Sequence, residues 1–155
     1  MPPGEIINDQ QLREALNDLS LENQRELGAR FVSSVGHLSV NSIITQGLKT
    51  AGDPNRTPTE LATAYKNAKA FGIEKYTSCG RDANWSAQAE HFVATALTAC
   101  LLPEEQVTQQ ENLAWKAAMQ ARMARNCEMI LNDRGEVDNE AIRQYVIAGE
   151  FLAQP

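Results

Sequence analysis

Two histidines and three cysteines are all that 155 residues hold of the side chains that most often ligate transition metals. His37 and His91 stand far apart, and no Glu-x-x-His occurs, so the di-iron bundle pattern fails. Cys79, Cys100 and Cys127 include no Cys-x-x-Cys, and an odd number of thiols cannot all pair within one chain. No Walker A motif and no Gly-x-Gly-x-x-Gly is present, which removes the common phosphate loops. Period-2 alternation of apolar and polar residues is almost absent, so strands are not expected. No stretch approaches the ~18 consecutive apolar residues of a membrane span. The opening Met1-Pro2-Pro3-Gly4-Glu5 lacks the basic and apolar regions of a signal peptide. Reduced thiols in a cytoplasm are the expectation.

What is present is an ordinary globular composition: 43% hydrophobic and 22% charged residues, with a net charge of −6. One domain, residues 1–155, is the expectation for this length. The acidity is concentrated in residues 79–155, where eleven Asp and Glu face six Lys and Arg. An acidic chain repels the phosphate backbone unless it carries a local basic stripe. Lys66 and Lys69 are too few to make one, and the chain is read as binding no nucleic acid.

Apolar residues recur at helical spacing nearly throughout, so the fold is read as an all-α bundle of six to seven helices. Leu12, Ala15, Leu16 and Leu19 mark a first helix. Ser20 caps a second, striped by Leu27, Phe31 and Val35 and stopped at Gly36. Ser39 is placed as the cap of a third, carrying Val40, Ile43, Ile44, Gly47, Leu48 and Ala51. Thr57, Pro58 and Glu60 form an N-cap, an N1 proline and a capping box for a fourth, which Gly72 should end. Ile73 and Tyr76 follow as expected core anchors. A fifth helix, over about residues 82–102, turns Trp85, Ala89, Phe92, Val93, Ala96, Leu97 and Cys100 to one side.

Residues 103–132 then read as one long, central, Ala-rich helix, because no Gly or Pro interrupts them after Pro103. A bulky stripe (Trp115, Met119, Met123, Cys127, Ile130) and a small-residue face (Ala114, Ala117, Ala118, Ala121, Ala124) suggest contact on two sides. Lys116, Gln120, Arg122 and Arg125 lie between the two faces. A last helix starts near residue 138, with Val137 and Ile142 as a hydrophobic staple and Tyr145, Val146 and Leu152 on its apolar face.

The candidate chemistry is thin. Cys79 lies in a loop before a helix start, where the helix dipole and Arg81 would lower a thiol pKa and Asp82 would raise it. No Cys-x5-Arg spacing accompanies it. Residues 132–138 resemble a calcium loop until the register is set on Gly135. The first and twelfth positions are then Ile130 and Ala141, where carboxylates are needed. No metal site and no cofactor are expected.

Three readings follow. The leading one is a non-enzymatic interaction or regulatory module acting through helix faces. Self-association is expected, because a helix over 104–131 would outrun a domain whose radius of gyration is ~15 Å. The second is a small enzyme or redox sensor centred on Cys79, and the third a small-molecule-binding bundle using Trp115, Met119 and Met123.

Overall fold

The computed structural model describes residues 5–77, 84–132 and 139–154. They form seven α-helices and two single 3-10 turns, with no strand among them. The helices are α1 (Asp9–Asn17), α2 (Leu21–Ser34), α3 (Ser42–Ala51), α4 (Pro58–Thr77), α5 (Trp85–Cys100), α6 (Leu113–Asn132) and α7 (Glu140–Leu152). The 3-10 turns are Gly36–Leu38 and Glu104–Gln106.

Local signals set most helix starts. The Asn8 side chain accepts from the Gln11 amide at α1, and Ser20 accepts from Asn23 at α2. At α4 the capping box closes in both directions. Thr57 Oγ1 accepts from the Glu60 amide at 3.1 Å, and Glu60 Oε1 accepts from the Thr57 amide at 3.4 Å. The α3 start differs from the expectation. Asn41 is the cap, accepting from the Ile43 amide, while Ser39 is buried and donates its hydroxyl to Glu90. Val40 consequently points away from the core and is 96% exposed.

Helix α6 is the hub. It packs most extensively on α5, and also on α2, α1 and α7. Its small-residue face is wholly buried and divides between two apolar clusters. Ala117, Ala121 and Ala124 join Val32, Val93 and Leu97, while Ala114 and Ala118 join Leu12, Leu16, Leu27 and Phe31. Small side chains let the helices approach closely. A Cβ on Gly28 would stand 2.8 Å from Cys100 Sγ and 3.4 Å from the Ala114 Cα.

The long helix is shorter than expected. It starts at Leu113, and residues 103–112 are a 3-10 turn and loop. The break needs no Gly or Pro. Asn112 Oδ1 accepts from the Trp115 amide and so caps α6, and its Nδ2 donates to the Leu16 carbonyl at the end of α1. Gln24 of α2 accepts from the Leu113 amide, which holds the first turn in place. Loss of the extra length also removes the overhang that motivated self-association.

Conversely, α4 runs straight through Gly72 to Thr77. Gly72 is a packing residue. A Cβ there would lie 3.3 Å from that of Ala94, and its carbonyl accepts from His91 Nδ1 at 2.8 Å. His91 is thus half-buried in a helix contact. Ile73 and Tyr76 are exposed and anchor nothing in the core.

Candidate interaction face on the last helix

Helix α7 is rotated from the expectation: Tyr145 packs on the core, but the line of Ile142 and Val146 does not. Its buried residues are Glu140, Gln144 and Ala148, whereas Ile142 and Val146 are 56% and 55% exposed. Ile142 faces outward, and Val137 and Asp138, on which the expected staple and helix start depend, lie outside the described residues. Asn139 caps the helix instead, accepting from the Ile142 amide.

Polar partners on the inner side hold this orientation. The Glu140 carboxylate accepts from Ser34 Oγ at 2.6 Å and from Arg125 Nε at 3.0 Å. Arg125, itself buried, also donates to the Ser34 carbonyl and pairs with Glu128, whose other oxygen meets His37 Nε2 at 2.5 Å. One turn on, Gln144 donates to the Ala118 carbonyl and accepts from Arg122 Nε, both at 2.8 Å. Arg122 then grips Asp9 with both terminal nitrogens, at 3.0 and 2.7 Å, and Tyr145 donates to the same carboxylate at 2.8 Å. Burying a carboxylate or an amide is costly unless every bond is replaced. Here the replacements come from α2 and α6, so turning α7 over would strand Glu140 and Gln144.

The ionisation of these groups follows their partners. Arg122 hydrogen bonds hold the Asp9 carboxyl below its ordinary value, outweighing the opposing effect of burial. Burial and the neighbouring Asp9 push the Tyr145 hydroxyl up. Burial alone would raise Glu128, but the hydrogen bonds from His37 and Arg125 outweigh it and bring it down. Each group is held in the charge state that maintains the network.

The outer face is chemically different. Ile142, Val146, Gly149 and Ala153 recur at intervals of four, three and four, which puts them in one line along the helix. This line lies opposite Gln144 and Ala148. Arg143 and Glu150, exposed and seven residues apart, flank it on one side.

Cys79 and Arg81 lie outside the described residues. Cys100 is buried and its thiol is pushed up to about 12 by that burial, with Arg25 acting weakly the other way; Cys127 is buried too. The Trp115–Met119–Met123 stripe lies at the edge of the core, with Trp115 and Met119 packed against the Leu12–Phe31 cluster. Trp115 and Met119 are half-buried, Met123 and Ile130 are exposed, and Arg13 and Arg122 lie over the Trp115 ring, their guanidinium carbons 4.7 and 5.9 Å from its centre. The centre of the core goes to the alanine face, where α5 and α2 approach closely, and the bulky stripe keeps its edge, with Cys127 buried and Met123 and Ile130 exposed.

One buried charge was missed in the sequence. Arg25 is fully buried, with Nη1 donating to the Cys100 carbonyl at 2.5 Å, and its Nε and Nη2 meet no acceptor among the described residues. The carbonyl end of α5 favours a cation there, while burial and Arg56 lower the Arg25 pKa. Its position in register with Gly28, Val32 and Val35 was the available signal. A cleft of about 290 Å³ lies near this guanidinium, lined by Glu22, Arg56, Pro103, Glu104 and others. Arg56 already binds Glu22 through two bonds, at 3.0 and 2.6 Å. Among the described residues no group of three or more His, Cys, Asp or Glu is arranged to hold a metal, and no helix is long and apolar enough to cross a membrane.

No family model matches the chain, and no curated protein or solved structure resembles it significantly.

Proposed function

We propose that this protein is a non-enzymatic interaction module that presents the outer face of α7 to a protein partner. One observation carries the reading: α7 turns Glu140 and Gln144 inward beside Ile147 and Phe151, and leaves Ile142 and Val146 more than half exposed on its outer face. A helix with no partner on its outer side would gain by turning Ile142 and Val146 inward. Here the inner contacts are completed by Glu140 and Gln144, which leaves the apolar line available to something else. A single exposed Ile or Val is commonplace; here Ile142 and Val146 stand one turn apart and in line with Gly149 and Ala153, which makes a continuous apolar stripe on the outer face. A reducing, cytoplasmic setting suits a chain whose Cys100 and Cys127 are buried on apolar surfaces.

Site-specific photocrosslinking in cells tests the reading. A benzophenone side chain at Val146 should give discrete protein adducts, while the same probe at exposed Lys66 on α4 should give few. Equal adduct yields at the two positions would remove α7 as the binding face.

A further inference from the structure

We infer that the partner on this face is a second copy of the chain, docked as an antiparallel α7–α7 pair about a two-fold axis. The inference rests on the binding-module reading and names its partner. The line Ile142, Val146, Gly149, Ala153 has the four–three–four spacing of a coiled-coil seam, with its two larger residues first and its two smaller ones last. An antiparallel arrangement sets Val146 against Gly149 of the second copy, and Ile142 against its Ala153. Large meets small in every layer. A parallel pair would crowd Ile142 on Ile142 and leave Gly149 facing Gly149.

Charge points the same way. Arg143 and Glu150 occupy equivalent flanking positions one heptad apart. Antiparallel packing brings like flanks together, so Arg143 of each copy falls near Glu150 of the other, about 3 Å out of step along the axis, within reach of both side chains. Two equivalent ion pairs result. The surface is therefore complementary to itself in both volume and charge, as a two-fold contact requires, and the arrangement closes at two copies. Gly149 has room for the approach, since a Cβ there would meet nothing within 4 Å.

The seam is one 13-residue helix long. Buried areas below about 1,200 Å² belong to weak, reversible associations, so we expect dimerisation at roughly tens to hundreds of micromolar. Sedimentation equilibrium on the purified full chain, over a concentration series, tests this directly. The wild type should move reversibly from monomer to dimer. Gly149→Leu fills the socket for Val146 and should stay monomeric, with a melting temperature at low concentration equal to or above that of the wild type. Glu150→Arg opposes like charges and should weaken the dimer roughly tenfold, more so at low salt. A wild type that stays monomeric overturns the homodimer. If Val146 still crosslinks in cells, the binding-module reading survives with a foreign partner; if it does not, both fail. A dimer that is indifferent to Gly149→Leu and Glu150→Arg, or strengthened by Gly149→Leu, places the contact elsewhere and overturns the inference.

Discussion

Helices α5 and α7 both lie against α6, and they are fastened to it by different means. The α5 contact is made of small and medium apolar groups: Ala117, Ala121 and Ala124 of α6 meet a buried cluster that includes Val93, Ala94, Leu97 and Cys100. The α7 contact adds to its apolar side chains, Ala148 fully buried and Tyr145, Ile147 and Phe151 half-buried on the same cluster, the polar links of Glu140 to Arg125 and of Gln144 to Arg122 and the Ala118 carbonyl. The first contact responds to volume and is indifferent to charge. The second responds to charge and to complete pairing, and tolerates little loss of either. An apolar contact uses up the apolar face of a helix, whereas a polar one leaves that face for another partner. On this ground the interaction surface is proposed on α7 rather than on α5.

The largest expected effect breaks the polar contact. Arg125→Met removes the nearer ion-pair partner of the buried Glu140 carboxylate and leaves it Arg143, at 4.0 Å; it should cost ~3–5 kcal/mol in urea unfolding. Adding Glu140→Met to that variant should recover part of the loss, because it removes the stranded charge. A single Arg125→Met without effect would mean that α7 is held by its apolar contacts after all.

A smaller effect is expected in the apolar contact. Ala121 is fully buried. Ala121→Leu should cost ~1–3 kcal/mol by overpacking, and calorimetry would show it as a lower melting temperature. Lys116→Leu, at an exposed position of the same helix, should change it little.

The smallest effect separates the two contacts by pH. The folded-state pKa values of Asp9 and Glu128 are depressed, so their stabilisation is complete above the ordinary carboxyl range and is lost as pH falls through the depressed values. Below about pH 4, amide exchange in α7 should rise before exchange in α5. Uniform loosening of both helices would show that the carboxylates do not single out the α7 contact.

Much of this architecture could be read from spacing. Leu27, Phe31 and Val35 are buried as their period implies, as are Ala89, Val93, Ala96, Leu97 and Cys100 on α5. The capping box at Thr57 and Glu60 is formed as its residues imply. These signals are local: the caps and periods depend on residues within a turn or two. The misreadings share a different cause. Arg125 falls in register with Ala114, Ala118 and Ala121, and Glu140 and Gln144 with Ala148, so each stripe contained charged or amide residues that a hydrophobicity pattern discounts. Whether such a residue is buried depends on a partner distant in sequence: Ser34 for Glu140, Asp9 for Arg122. Nothing in the candidate face was legible for the same reason. Ile142 and Val146 look like core until Glu140 and Gln144 are seen to have filled that role.

Residue order alone decides that this chain is helical, where most of its helices are capped, and that α6 carries a face small enough for close packing. Those outcomes follow from backbone propensity, local hydrogen bonds and side-chain size, all of which act over a few residues. Packing alone decides that α6 begins at Leu113, that α4 passes through Gly72, and that α7 turns its polar side inward. In each case a partner from another helix supplies the hydrogen bond or the close contact, and only the assembled fold brings that partner within reach.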